Sequence, residues 1–309
     1  MENFNAIPVF VAVAQQGGFS AAARELNISK SAVSKRITQL EQQLGVRLIH
    51  RTTRKLSLTE AGERYYEYSL QATRAAQQAE DAVGELQGEP RGLLRINAPM
   101  SFGRLHIAPL IAEFLQRYPL IQMDLVLDDN TLNIIEQGFD LAIRATRLPD
   151  STLIARKLAP LRSVICAAPE YPFRTALTSP ACLADENCLL YSYSDDASHW
   201  EFMPQPETGE AALHVKVSGN YRVNNSEALL EAILAGAGIG RLPSFAAAEY
   251  IRQGKLIRLF PEYSMPVKTM YAVYPERHYM PAKVRAFLEF ASEKLGKDTP
   301  HWDAGLFRC

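Results

Sequence analysis

The clearest pattern of apolar and polar positions lies in NISKSAVSKRITQLEQQLG, residues 27–45. On a helical wheel, four apolar side chains fall on one side and predict a stripe that packs on a core: Val33, Ile37, Leu40 and Leu44. The opposite face carries hydroxyl, ammonium and amide groups: Ser31, Ser34, Lys35, Thr38 and Gln42. No carboxylate occurs before Glu41, whereas solvated faces commonly pair Glu with Lys. Such a face suits close approach to a polyanion, but on this pattern alone a solvated face fits equally well.

Two shorter helical patterns precede this segment. FNAIPVFVAVAQQ, residues 4–16, predicts a helix that ends at the Gly17-Gly18 pair. AAAREL predicts a second helix with Ser20 as its N-cap. Asn27 tolerates the left-handed conformation of a tight turn, and Ser29 can cap the third helix. Two helices joined by so short a turn predict a helix-turn-helix.

The next segment, VRLIHRTTRKLSLT at residues 46–59, has the pattern of a β-hairpin. Its predicted tip is basic and carries Arg51, Arg54 and Lys55. In DNA-binding folds such a wing reaches the backbone or the minor groove, where arginine is favoured. A solvated basic turn is the alternative interpretation.

A long helix is predicted from Thr59, as its cap, to about Leu86. Glu60 and Glu63 lie in its first turn, as the helix dipole favours. A helix of some 28 residues is about 40 Å long. The short N-terminal segment that precedes it, called the head below, is too small to cover it. We therefore expect its apolar stripe to pair with a second copy of the chain.

Beyond a predicted hinge at residues 87–92, strands alternate with helices. The predicted strands are LLRINA, IQMDLVL, FDLAIRA, RSVICAA, NCLLYSY, HVKVSG, IGRLP and KTMYAVYP. The predicted helices are HIAPLIAEFLQRYP, NTLNIIEQG, SEALLEAILAGAG, SFAAAEYIRQGK and MPAKVRAFLEFASEKLG. This succession predicts an α/β fold with mostly parallel sheets. The tail KDTPHWDAGLFRC is expected to be poorly ordered, although Trp302 and Phe307 could dock.

Composition and charge separate the head from the rest of the chain. The 309 residues, 47% hydrophobic and 22% charged, are typical of a globular protein of roughly two domains. Residues 1–60 hold eight Lys and Arg against four acids, or +4, and the total of −1 leaves −5 for the remainder. A basic head predicts nucleic-acid binding. No apolar run is long enough to span a membrane, and the start of the chain lacks the positive charge of a signal peptide, so we expect a cytoplasmic location and no membrane partner.

The sequence predicts no disulfide, metal site, dinucleotide site or catalytic site. The four cysteines form no CxxC motif, which favours reduced thiols over a disulfide or a zinc site: Cys166, Cys182, Cys188 and Cys309. GAGIG at residues 236–240 ends a helix rather than opening one, which favours helix capping over a dinucleotide site. The pairs Asp128-Asp129 and Asp195-Asp196 lack a neighbouring nucleophile. We therefore predict no enzyme, no metal and no cofactor.

Specific residues of the N-terminal segment carry a resemblance to a known family. FVAVAQQGGFSAAARELNISKSAVSKRITQLEQQLGVRLIHRTTRKLSLTEAG resembles the winged helix-turn-helix of LysR-type transcriptional regulators. It contains the pattern GxFSAAARxLxxSxSAVSxxIxxLExxLGxxLxxRxxRxxxLTxAG in full. DLAIRATRLPDSTLIARKL and EALLEAILAGAGIGRLPSF are similar to segments of the family's effector-binding part. The resemblance covers the chain except about its last dozen residues.

The resemblance implies a multi-domain α/β protein with a periplasmic-binding-protein-like effector domain. The implied parts are a winged helix-turn-helix at residues 1–58, a linker helix and hinge at 59–91, and the effector domain at 92–300. This domain would comprise two α/β subdomains between which the chain crosses twice, subdomain I at 92–162 and 266–297 and subdomain II at 163–265. The effector would lie in the cleft between them. Dimers that pair into tetramers are usual in the family.

Strand ends at the implied cleft supply candidate effector residues, because α/β sheets bind ligands beyond the carboxyl ends of their strands. The candidates are Pro99, Met100, Ser101, Phe102, Asn130, Arg144, Thr146, Tyr193, Asp195, Asn224 and Asn225. Ser101 at a helix start is the preferred one and suits a small organic anion. For the others, turn formation or helix capping is an equally good interpretation.

The implied function is a sequence-specific transcription regulator that responds to a small-molecule effector. Residues implied to meet DNA are Ser20, Lys30, Ser31, Ser34, Lys35, Thr38, Arg51, Arg54 and Lys55. Two copies of the third helix would enter successive major grooves of an interrupted inverted repeat in double-stranded DNA. Further partners are a second copy of the chain and RNA polymerase. The alternative is a cytoplasmic small-molecule binding protein without a transcriptional role, and the basic winged head argues against it.

Overall fold

The structure is a computed structural model that describes residues 4–51, 56–85, 89–129, 134–145, 153–193, 196–204, 211–276, 280–296 and 298–307. The chain divides into two compact units. The first extends to Glu89, and the second runs from Pro90 to the end of the chain, residues 135–138 excepted. Within the described ranges, no helix has both the length and the apolar character needed to cross a membrane.

The first unit contains the predicted helices and hairpin. Their bounds are α1 Ile7–Gln16, α2 Phe19–Glu25, α3 Lys30–Leu44, β1 Ile49–Arg51, β2 Leu56–Leu58 and α4 Glu60–Glu85, after a 3-10 turn at Phe4–Ala6. Gly17 and Asn27 have the positive φ angles that the predicted turns need, 62° and 51°. The Ser29 Oγ atom accepts a hydrogen bond from Ala32 N at 3.1 Å, which confirms the predicted cap of α3.

Two local predictions in this unit are wrong. Gly18 takes the N-cap position of α2, so Ser20 lies inside the first helical turn with an exposed side chain. Leu44 is 38% exposed, because the last turn of α3 extends past the core that buries Val33, Ile37 and Leu40. The buried stripe is completed by Glu41, which is 4% exposed.

The carboxylate of Glu41 joins α3 to the hairpin. Its Oε1 atom accepts hydrogen bonds from Leu48 N at 2.9 Å and from Ile49 N at 3.2 Å. Its Oε2 atom accepts a hydrogen bond from Arg47 Nη1 at 2.9 Å. A buried carboxylate is tolerated when its oxygens accept such bonds, and backbone N–H groups need a partner when buried. Glu41 therefore sets where the wing starts relative to α3.

The start of α4 packs closely on the same hairpin. Thr59 caps the helix as predicted, because its Oγ1 atom accepts a hydrogen bond from Gly62 N at 3.0 Å. A Cβ atom at Gly62 would lie 2.0 Å from the carbonyl oxygen of Leu48, so only glycine permits this approach. Tyr65 meets Phe10 edge to face at 5.3 Å between ring centroids. The first turns of α4 thus belong to the head's core.

The second unit contains two five-stranded sheets, which define subdomains I and II. The strands of subdomain I, in spatial order, are β4 Ile121–Leu127, β3 Gly92–Ala98, β5 Leu141–Arg144, β14 Lys268–Pro275 and β6 Leu153–Leu161. Those of subdomain II are β11 Arg222–Val223, β8 Cys188–Tyr191, β12 Ile239–Pro243, β7 Ser163–Ala167 and β13 Ile257–Leu259, beside a hairpin of β9 His199–Phe202 and β10 Leu213–Lys216. The helices that follow Pro90 are α5 Met100–Phe102, α6 Ile111–Arg117, α7 Ile134–Gln137, α8 Ser226–Leu234, α9 Ser244–Arg252 and α10 Ala282–Leu295. Most of α7 is assigned to the first unit.

The prediction of mostly parallel sheets is wrong. Among the described strands, each sheet has two parallel and two antiparallel pairings. The antiparallel pairings arise where the chain changes subdomain: it passes from β6 directly into β7, and it returns through β14, which runs antiparallel to β5 and β6. The sequence pattern missed β6, β9, β11 and β13, because these strands are short or interrupted by charged residues. The chain crosses twice between the two sheets, as the resemblance implies. The exact limits of the domains stay predictions.

Residues 298–307 of the tail pack on the second unit, contrary to expectation. Residues His301–Asp303 form a 3-10 turn in which Trp302 is 4% and Asp303 8% exposed. Asp303 pairs with Arg162 at 2.6 Å. A buried indole and a buried ion pair hold this segment against the second unit.

We expect Glu41→Ala to loosen the wing, because two buried N–H groups would lose their acceptor, at a cost of roughly 1–3 kcal/mol for each unsatisfied group. Hydrogen exchange at Leu48 and Ile49 in the full chain should accelerate strongly. Glu41→Gln keeps an accepting oxygen and should give a smaller increase. Gln42→Ala, at an exposed neighbouring position, is the control. Equal exchange in Glu41→Ala and the native protein would contradict this role.

Candidate functional site

The outward face of α3 is exposed as predicted. Ser31, Ser34, Lys35 and Thr38 follow the spacing that places side chains on one helical face. Ser31 and Lys35 are exposed, and Ser34 and Thr38 are partly exposed. Because three of these four side chains are short hydroxyls, a DNA backbone can approach the helix closely and still meet a cation.

The other predicted DNA residues surround this face. Ser20 on α2 and Lys30 at the start of α3 are exposed. Arg51 ends β1, where it pairs with Leu56 of β2. The remaining candidates of the wing tip, Arg54 and Lys55, lie outside the described residues.

A cavity of about 620 Å³ lies between subdomains I and II. We call it the cleft cavity. Five predicted effector residues line it: Pro99, Ser101, Phe102, Arg144 and Tyr193. Asn130, Thr146 and Asp195 lie outside the described residues. The volume is in the range of small-molecule sites.

Three predicted effector residues are absent from the described wall of the cleft cavity: Met100, Asn224 and Asn225. Met100 is 43% exposed and donates its backbone N–H to Asp129 Oδ1 at 2.9 Å. Asn224 Nδ2 donates to the Tyr193 hydroxyl at 3.2 Å. The Asn225 Oδ1 atom accepts from two backbone N–H groups of α8, each at 3.0 Å. In the structure these three residues thus lie at supporting and capping positions, and an effector role for them stays a prediction.

Two buried donors of subdomain I face the cleft cavity without a hydrogen-bond partner among the described residues. Ser101 is 4% exposed, and its Oγ atom has no partner. Arg144 is 8% exposed; its Nη1 atom donates to Ile143 O at 2.9 Å, but Nη2 has no partner. Burial lowers the pKa of Arg144, and the nearby Asp128 opposes this shift. Buried donors left without acceptors are costly, so these two groups are candidate ligand contacts.

The same wall carries a pair of carboxylates, Asp128 and Asp129. Burial raises the pKa of Asp129, and Asp128 adds to the increase, while the hydrogen bond from Met100 N lowers it. Burial also raises the pKa of Tyr191 to about 12, with a further contribution from Asp129. This part of the cleft cavity favours a ligand group that donates hydrogen bonds or carries positive charge.

Charged side chains of the wall also pair with one another. Arg241 binds Asp196 with both terminal guanidinium nitrogens, Nη1 and Nη2, at 2.7 and 2.8 Å. Lys268, at the start of β14, lies 3.7 Å from the same carboxylate. A second ion pair, Arg104 with Glu227, joins the segment after α5 to the first turn of α8 and so spans the two subdomains.

The sequence pattern indicates no effector role for Asp128, Asp129, Asp196, Arg241 or Lys268. Adjacent carboxylates such as Asp128 and Asp129 suggest only a catalytic pair. Arg241 had a usable signal, because an arginine inside the apolar strand IGRLP needs a buried partner. That partner, Asp196, is distant in sequence and could not be identified without the topology.

A winged helix-turn-helix with a polar outward face, together with two subdomains around a cavity, defines the class of effector-responsive DNA-binding regulators. Residues 4–63 match the family described as "Bacterial regulatory helix-turn-helix protein, lysR family". Residues 87–296 match the "LysR substrate binding domain". The chain belongs to the LysR family of transcriptional regulators. It is a sequence-specific DNA-binding transcription regulator with an effector-binding domain, and the alternative of a binding protein without a transcriptional role has no support.

Relatives of this chain match its sequence over nearly its whole length. The chain is 37% identical over 297 residues to the HTH-type transcriptional regulator PtxR of Pseudomonas aeruginosa, covering 96% of this chain and 94% of that protein. It is 35% identical to the probable regulator LtrA of Klebsiella pneumoniae, covering 95% and 96%. Among solved structures, CrgA, a LysR-type regulator from Neisseria meningitidis, is 34% identical, with a TM-score of 0.59 and coverage of 94% and 98%.

We expect Lys35→Ala to weaken DNA binding and to reduce its dependence on salt, because one fewer phosphate is neutralised. The slope of log K against log salt should decrease in magnitude by about 0.9. Fluorescence anisotropy of a labelled duplex across a salt series measures both effects. Lys255→Ala, at an exposed position of the second unit, is the matched control. An unchanged slope for Lys35→Ala would remove this residue from the interface.

Proposed function

We propose that this regulator responds to a small organic acid that also carries hydroxyl or ammonium donors. The observation that carries the proposal is the pair of buried, unpartnered donors at Ser101 and Arg144 in one cavity wall. A carboxylate would accept from both, because a guanidinium and a hydroxyl are natural donors to an anion. The carboxylates of Asp128 and Asp129 would then accept hydrogen bonds from the hydroxyl or ammonium groups of the same molecule. A ligand with only a carboxylate, or with only donor groups, would leave one of these two sets of side chains without a partner.

On DNA, we propose that a dimer places two copies of α3 in successive major grooves of an interrupted inverted repeat. The exposed face with Ser31, Ser34, Lys35 and Thr38 would meet base edges and phosphates, and Arg51 and Arg54 of the wing would flank them. Regulators of this family oligomerise, and the length of α4 supports its use as the dimer contact. Pairs of dimers would form the tetramer.

Effector binding would transmit a signal by changing the angle between the subdomains. A ligand shifts such an equilibrium only by its difference in affinity for the two states. Contacts with Arg144 in subdomain I and with the Tyr193 loop in subdomain II would supply that difference. The change would alter DNA bending and access of RNA polymerase in the cytoplasm. The role requires no catalysis, cofactor or metal.

We expect Ser101→Ala and Arg144→Gln to abolish or strongly reduce the stabilisation of the full chain by its effector acid. A thermal-shift screen of small organic acids, with and without hydroxyl and amino groups, identifies responders in the native protein. A responder at 100 times its Kd should add about 2.7 kcal/mol of stability. Gln116→Ala is the control, because this exposed residue of α6 does not line the described wall.

Two outcomes would contradict the proposal. One is a response that persists in both the Ser101 and the Arg144 variants. The other is a response confined to apolar or purely cationic compounds.

We also expect affinity for such an acid to decrease as the pH falls from neutral. The raised pKa of Asp129 means that this carboxyl gains a proton at a higher pH than an ordinary aspartate, and it then loses the charge that attracts a donor. Calorimetric titration between pH 5 and pH 8 measures the decline. Asp129→Asn should flatten it. The same decline in this variant would assign it to another group.

A further inference from the structure

The tail, residues 298–307, follows the end of α10 and lies beyond residue 296, where the match to the family's effector domain ends. Its contacts therefore lie outside the part of the chain that the family model matches. We propose that the tail tethers subdomain I to subdomain II and that Trp302 positions the wall of the cleft cavity.

Trp302 contacts rings from both subdomains. Its ring centroid lies 4.3 Å from that of His106 and 5.8 Å from that of Phe102, both in the segment after β3. It lies 6.4 Å from that of Phe245, in α9 of subdomain II. A His106 ring nitrogen also lies 3.2 Å from Phe245 O. The indole thus completes an aromatic cluster that neither subdomain forms alone.

Polar contacts hold the tail on both subdomains. In subdomain I, Lys157 pairs with Asp298 at 2.6 Å. In subdomain II, Arg252 Nη2 donates to Trp302 O at 2.6 Å and to Ala304 O at 3.1 Å. Farther along, Arg258 donates to the carbonyl of Leu306.

The contact between Asp303 and Arg162 lies at the crossing itself. Arg162 is the residue between β6 and β7, so the ion pair attaches the tail to the point where the chain passes between the subdomains. The side chain of Asp303 is 7% exposed, which strengthens the pair relative to a solvated one. The Phe307 ring also lies over Arg162, at 5.5 Å.

The tether reaches the cleft cavity through two rings. Phe102 and Phe245 both line the cavity, and both contact Trp302. Trp302 is not among the described lining residues, so it supports the wall through these two rings. Any rotation between the subdomains separates Phe102 from Phe245 or moves both against the indole. The tail consequently sets the resting angle of the cleft.

The chain offers a matched pair of variants for the test. Asp303→Asn and Asp185→Asn make the same chemical change at two positions. Asp185 is exposed and lies outside the tail, whereas Asp303 is buried at the crossing. In a Trp200→Phe background, Trp302 is the only tryptophan of the chain. Its emission should shift to longer wavelength in Asp303→Asn and stay unchanged in Asp185→Asn.

Hydrogen exchange of the full chain then tests the tether without any effector. Release of the tail should speed exchange several-fold in two segments at once, residues 102–107 of subdomain I and α9 of subdomain II. Trp302→Ala should do the same, and Trp302→Phe, which keeps a ring, should restore most of the protection. Asp185→Asn should match the native protein.

Faster exchange in α9 alone, or in neither segment, would overturn the proposal, because the tail would then merely cover subdomain II. If Trp302→Ala does not fold, Asp303→Asn and Trp302→Phe still give the result. Because no effector is used, failure here is distinguishable from failure of the organic-acid proposal.

Discussion

The pairing of β14 with β6 is the interaction on which the effector domain depends. The two strands run antiparallel from Lys268 opposite Leu161 to Pro275 opposite Leu153. Lys268 begins the return from subdomain II, and Leu161 is the last strand residue before the crossing into it. Subdomain II is therefore attached at two neighbouring points, which permits rotation about the crossing and restricts sliding. Leu161 and Lys268 also line the cleft cavity, so the hinge and the ligand site share residues.

This shared position explains the distribution of charge. A cation at the hinge would be costly if buried alone, and Lys268 and Arg241 both lie beside Asp196. Both cations of the hinge thus have a carboxylate partner within the protein. Arg144 differs, because its outer nitrogen has no acceptor among the described residues. The wall of subdomain I is consequently where a ligand gains most from its own charge.

The range of each interaction in sequence decides what could be predicted. Caps such as Ser29 and Thr59 depend on residues three positions away, and the structure confirms both. Ser101 and Arg144 follow strands with strong apolar patterns, so a position at the strand ends was predictable, although their roles stay predictions. Glu41 was missed because its partners are backbone groups across a turn. The packing of the tail was missed because Asp303 meets Arg162 from 141 positions away.

The two candidate sites follow from one physical argument. Folding leaves polar groups uncompensated where another molecule can compensate them better than the protein does. On α3 the groups are exposed, each phosphate contact is weak, and binding needs several of them together with the wing. In the cleft cavity the groups are buried, so one ligand that satisfies Ser101 and Arg144 together removes a desolvation cost already present in the free protein. Low dielectric surroundings make that gain sensitive to small changes in subdomain angle. A few buried donors can therefore couple ligand binding to the position of the hinge.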